Sequence, residues 1–203
     1  MRQRCLLMSD HRGASAAEFA LVLPLLLVLL FGIIDAGRFM WEYNRAEKAT
    51  QMGVRYAAVA NPVLPVLASY SFAVDGGVIP GDAIPADLFS NAVCNNTSCS
   101  CTASSGDFCT GAGHDPAAFT NLVTRMSAMY PPIGPANIDI EYRNVGLGYA
   151  GDPNGPDVAP LITVSLKDLE FRPITCLVFA CALPMPDFRA ALTAEDLNGT
   201  VSN

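Results

Sequence analysis

One stretch near the start of the chain limits what it can fold into. Sixteen consecutive residues, Phe19 to Ile34, carry no charge and almost no polarity. Counted from Ala14 the stretch is 21 residues, broken only by Glu18. A helix needs roughly 20 such residues to cross a bilayer core. Arg2, Arg4 and Arg12 precede it and favour a cytoplasmic N-terminus. A secretory signal removed at its far end fits poorly. Ile34-Asp35-Ala36 lacks the small-x-small pattern, and Ala58-Val59-Ala60 lies too far downstream. The expectation is an uncleaved membrane helix with an exported domain behind it.

Charge narrows the partners. The chain carries −7 overall, and the residues before Ala14 carry +2, which leaves −9 for the rest. An acidic surface repels phosphate backbones, so nucleic acid is excluded as a partner. Seven cysteines are present, six of them beyond the apolar stretch: Cys94, Cys99, Cys101, Cys109, Cys176 and Cys181. An even number on the exported side implies disulfides. The spacing leaves the pairing open, although Cys176 and Cys181 are expected to close a small loop. Zinc is disfavoured, because Cys94-x4-Cys99-x-Cys101-x7-Cys109 does not match paired knuckles.

A plain signal anchor accounts for everything except Glu18. A carboxylate near the start of a membrane helix is costly unless paired. Gly13-Ala14-Ser15-Ala16-Ala17-Glu18 matches the type III leader pattern of pilins, in which a prepilin peptidase cuts after Gly and leaves Glu as the fifth mature residue. A cut after Gly13 frees an amine on Ala14 that can pair with Glu18 of the same or a neighbouring subunit. Glu18-Phe19-Ala20-Leu21-Val22-Leu23-Pro24, followed by Gly32-Ile33-Ile34-Asp35-Ala36-Gly37-Arg38, resembles the N-terminus of TadE-like minor pilins, over about residues 12 to 60.

The resemblance implies a minor pilin or pseudopilin of a tight-adherence type IV pilus, acting in surface adhesion and biofilm formation. Its implied partners are a prepilin peptidase, other pilins, pilus assembly proteins and membrane lipid. Its implied place is the bacterial inner membrane, with a periplasmic C-terminal domain or incorporation into an extracellular pilus. Ala14 stands where the better-known type IVa pilins have Phe, a departure that bears on N-methylation.

Helical character continues beyond Asp35 until Asn61-Pro62, since a residue before proline avoids the helical region. Ala14 to Ala60 is 47 residues, or roughly 70 Å at about 1.5 Å per residue. Pro24 should bend or open the helix locally, and Gly32 and Gly37 are further soft points. Ala46, Ala49, Gly53, Ala57 and Ala60 form a stripe of small residues at helical spacing. Such a stripe packs either on the chain's own domain or on another helix of a pilus.

The expected organisation is a leader over 1–13, a transmembrane helix over 14–36, its exported half over 37–60 and an α+β domain over 61–203. Val63 to Phe72 holds a short strand or helix. Cys94 to Gly113 reads as irregular. Asp115-Pro116 starts a second helix, Asp as N-cap and Pro at the first position, and Tyr130-Pro131-Pro132 ends it. Ile138, Ile140 and Tyr142, then Ile162, Val164 and Leu166, alternate with polar residues as in half-buried antiparallel strands. Leu169 to Phe171 is expected to extend the second strand through a bulge. Phe119, Leu122, Val123, Met126 and Met129 read as core. The fold class is α+β and disulfide-stabilised.

No catalytic constellation emerges, and neither a cofactor nor a metal is expected. Gly146-Leu147-Gly148-Tyr149-Ala150-Gly151 matches G-x-G-x-x-G, but a proline-rich loop follows instead of a helix. Asp152, Asn154 and Asp157 supply oxygens without the EF-hand pattern. His114 reads as a solvated loop histidine. The alternative to a pilus subunit is a membrane-anchored exported binding protein outside any pilus, suggested by the cysteine-rich segment.

Overall fold

The computed structural model describes residues 11–176, 181–194 and 197. The chain forms two compact units, Met1–Trp41 with Arg172–Leu183, and Glu42–Phe171 with Pro184–Asn203. One helix, α1 (His11–Val59), contributes to both. Its described part already includes His11-Arg12-Gly13, within the segment expected to be leader. The Gly13–Ala14 peptide therefore lies inside its first turns. Helical structure runs unbroken through Pro24.

In the second unit, α2 (Val66–Ser69) follows, then strands β1 (Asn91–Cys94) and β2 (Cys99–Thr102). Helix α3 (Pro116–Met129) comes next, then β3 (Ile138–Arg143), β4 (Leu161–Leu166), β5 (Glu170–Phe171), β6 (Leu183–Pro184), whose first residue is counted in the first unit, and β7 (Phe188–Thr193). Asp115 caps α3, its Oδ1 accepting from the Ala117 and Ala118 N–H groups. The main sheet is antiparallel in the order β2-β1-β3-β4-β7. Ile140 faces Val164 and Tyr142 faces Ile162, so the apolar residues of both strands share one buried face.

Two expectations are corrected, and one strand is added. The cysteine-rich segment is ordered: β1 and β2 form a hairpin in which Cys94 and Cys99 sit opposite each other. Its turn is held by Asn95 Oδ1, which accepts from the Thr97 and Ser98 N–H groups and the Thr97 hydroxyl. Leu169–Phe171 does not extend β4. Asp168 sits at φ +55° and breaks the strand, a conformation that Asp tolerates better than most residues. Strand β7 was not expected at all.

The stripe on the outer half of α1 is buried in the second unit. Ala46, Ala49, Ala57 and Ala60 are buried together with Val54 and Ala58. Gly53 explains the close approach: a Cβ there would meet Met126 Sδ at 2.7 Å. A buried aromatic cluster forms in the same unit, with Phe72 stacked on Phe108 at 5.2 Å and Phe89 tilted on Phe108 at 4.7 Å.

Candidate functional site: the apolar helix and the strap at its end

In the first unit, α1 presents large apolar residues to its surroundings. Leu21 is 80% exposed, and Phe19, Leu25, Leu29 and Ile33 are exposed as well. Water does not tolerate a continuous surface of this kind on a monomer. The helix is long and apolar enough to cross a membrane, with a mean hydropathy of 2.6 over its best window. Glu18 is exposed at its start, and Pro24 is exposed within it. Gly32 and Gly37 face open space, so neither is required by a close contact.

At the end of the apolar run the chain places a residue that sequence reasoning passed over. Asp35 is 6% exposed. Its Oδ1 accepts the Ile174 N–H at 2.6 Å. Its Oδ2 accepts the Thr175 N–H at 2.9 Å and the Thr175 hydroxyl at 2.8 Å. Arg38 Nη1 lies 3.5 Å from Asp35 Oδ1 and donates to the Arg172 carbonyl at 3.4 Å. Arg172–Cys176 is thereby strapped to α1, and the Cys176–Cys181 disulfide ties Cys181–Leu183 to it. The only signal in the sequence was an acid directly after sixteen uncharged residues.

In the second unit the outer half of α1 is fixed by polar contacts as well as by the small-residue stripe. Arg45 donates through Nε and Nη2 to the Met129 carbonyl, at 2.9 and 2.6 Å. That places a cation at the C-terminal end of α3, where the helix dipole favours it. The Tyr130 hydroxyl donates to Glu42 at 3.2 Å. Burial and the Glu42 carboxylate push the Tyr130 hydroxyl up to about 12. Tyr142 is fully buried and accepts the Val63 N–H at 2.9 Å, and burial drives its hydroxyl above the ordinary tyrosine range. Ala46, Ala49, Gly53 and Ala57 thus pack within the subunit.

The remaining candidates have structural duties. The cysteines pair as Cys94–Cys99, Cys101–Cys109 and Cys176–Cys181. The oxygens suggested for calcium hold loop backbone: Asp157 accepts from the Phe72 N–H at 2.6 Å and the Asp152 N–H at 3.2 Å, and Asp152 accepts from the Asn154 N–H at 2.9 Å. In the G-x-G-x-x-G segment, Gly148 has φ +92°, and a Cβ would lie 2.4 Å from the Asp157 carbonyl oxygen. This glycine serves a tight loop. His114 Nε2 lies 3.0 Å from the Asn95 carbonyl, so it joins the hairpin turn instead of being merely solvated.

The comparisons with known proteins agree with the N-terminal geometry. The family model described as "TadE-like protein" matches residues 13–55. No curated protein and no solved structure matches the chain. The matched span begins at Gly13, takes in Glu18, Pro24 and Asp35, and ends within the buried part of α1. Over residues 13–55 the chain is therefore similar to the TadE-like family.

Proposed function

We propose that the protein is a minor pilin or pseudopilin of a tight-adherence type IV pilus, inserted in the inner membrane by α1 with its second unit on the exported side. The observation that carries this reading is the TadE-like match across Gly13, Glu18 and the exposed apolar helix. Its role is structural and not enzymatic. A prepilin peptidase cuts after Gly13, and the new Ala14 amine pairs with Glu18. Because the outer half of α1 is covered by its own domain, contacts with neighbouring pilin helices fall to the apolar inner half. The paired acid and amine then favour one depth and register against a neighbour, since an unpaired charge there costs several kcal/mol.

Gly13→Val should leave an uncut precursor, seen as a larger band on a blot. Glu18→Ala should be cut at a normal rate yet fail to restore pili in a strain lacking the wild-type copy. Glu18→Gln should be nearly as poor, since it keeps the size and loses the charge. Normal pili from either Gly13→Val or Glu18→Ala would sink this reading. The alternative, an anchored binding protein outside any pilus, would then stand on the ordered, doubly disulfide-braced segment around β1 and β2.

A further inference from the structure

The strap on Asp35 has a physical reason that lies in the length of the apolar run. The expected span over 14–36, counted from Ala14, is roughly 34 Å long at about 1.5 Å per residue, enough to fill the roughly 30 Å hydrocarbon core. It ends one residue past Asp35. A helix that fills the core therefore carries Asp35 to the hydrocarbon boundary. A bare carboxylate there is expensive, and the usual remedies are thinning of the bilayer, a shifted helix or a partner for the charge. This chain supplies the partner from its own sequence. Three hydrogen bonds from Ile174 and Thr175, with Arg38 at 3.5 Å, leave Asp35 with 6% of its surface exposed.

The groups around that boundary suit lipid. Trp41 is 66% exposed and lies five residues past Ala36, about 7.5 Å further along the helix. That falls within a headgroup layer of about 5–8 Å, the zone where tryptophan concentrates. Met40 beside it is exposed. On the strap, Ala182 is exposed and Leu183 is 48% exposed, an apolar end on a segment that clusters with the membrane helix. We propose that the two limbs of the strap, Arg172–Cys176 and Cys181–Leu183, form a second lipid-contacting element. Asp35 holds it at the exported boundary of the bilayer, where protein replaces water around the carboxylate. The partner is a lipid bilayer surface, and the proposal rests on the membrane placement of α1.

Trp41 is the sole tryptophan, which makes a clean test. The full chain is reconstituted in vesicles of phosphatidylethanolamine and phosphatidylglycerol, with or without bromine near the headgroup end of the acyl chains. One reporter is Trp41 itself. The other is Leu183→Trp in a Trp41→Phe chain. Both should be quenched by about twofold, as expected of interfacial indoles. Adding Asp35→Ala should abolish quenching of the Leu183→Trp reporter and leave that of Trp41 unchanged. Asp35→Asn, which keeps the size, should lie between. An unchanged thermal midpoint of the second unit checks that the variants fold. A quenched Trp41 with an unquenched Leu183→Trp reporter overturns the strap and leaves the membrane helix standing. Equal quenching with and without Asp35 overturns the role of that residue. If Trp41 is not quenched, the membrane placement falls and the strap proposal with it.

Discussion

The two halves of α1 relate side-chain size to exposure in opposite ways. In the inner half the large residues are exposed, and none of the described residues buries them: Leu21, Leu25, Leu29 and Ile33. In the outer half most buried positions are small, with Val54 and Tyr56 the larger exceptions, and Ala46 and Ala49 have no exposed surface at all. Hydrophobicity alone would rank the inner half as the better core. Size separates them. Lipid accepts bulky side chains without shape matching, whereas a helix pressed on its own domain needs small residues so that backbones can approach.

The largest test of this contrast is deletion. A fragment beginning at Arg38 should be soluble and melt cooperatively. A fragment beginning at Pro62 should aggregate, because the apolar residues that meet Ala46, Ala49 and Ala57 lose their cover. Equal solubility and equal midpoints would break the comparison. Next in size is Gly53→Leu, which drives a side chain into Met126 and should cost about 3 kcal/mol, read as a lower denaturation midpoint. Gly37→Leu meets nothing within 4 Å and should leave the midpoint of the second unit unchanged.

Smaller again is the alkaline response of the second unit. Unfolded tyrosines ionise near pH 10, whereas Tyr142 is held higher and Tyr130 is held at about 12. Above pH about 10 the unfolded chain gives up protons that the folded chain keeps, so stability should fall with rising pH until the folded groups also ionise. Below that the two tyrosines contribute no slope. Tyr142→Phe should flatten part of the decline and cost about 1–3 kcal/mol at neutral pH, because the Val63 N–H is left without an acceptor. Thermal melts across an alkaline series measure both effects. The smallest effect expected is Gly53→Ala. The flexible Met126 side chain can yield, and the gain in helix propensity of up to about 1 kcal/mol offsets the crowding, so the midpoint should barely move.

What the sequence disclosed followed from local chemistry. Asp115-Pro116 announced α3, period-two alternation announced β3 and β4, and the uncharged run announced the inner helix. Strands β1 and β2 were hidden because Asn-Ala-Val-Cys and Cys-Ser-Cys-Thr have little apolar alternation. Their hairpin is set by an Asn turn and a disulfide, neither of which has a hydrophobic period. Strand β7 hides for a related reason: only Phe188 is deeply buried in Phe-Arg-Ala-Ala-Leu-Thr. Asp35 was invisible because its partner Ile174 lies 139 residues away. The small-residue stripe was legible as a packing face, but choosing between its own domain and a neighbouring helix needed the position of Met126.

The disulfides join partners separated by only 5, 8 and 5 residues, and each of the six described cysteines pairs with its neighbour in sequence order. Loops this short remove only about 2 kcal/mol of chain entropy each in the loop-closure account, so the bonds brace local turns and leave the sheet to its own core. The order of pairing matters more than the energy. A polypeptide that crosses a membrane from its N-terminal side presents these thiols in succession, each beside its correct mate. An oxidant acting on whichever thiols have just emerged then makes the native set, with no wrong bonds to reshuffle. Pairing in chain order thus asks for an electron acceptor and places little demand on an isomerase.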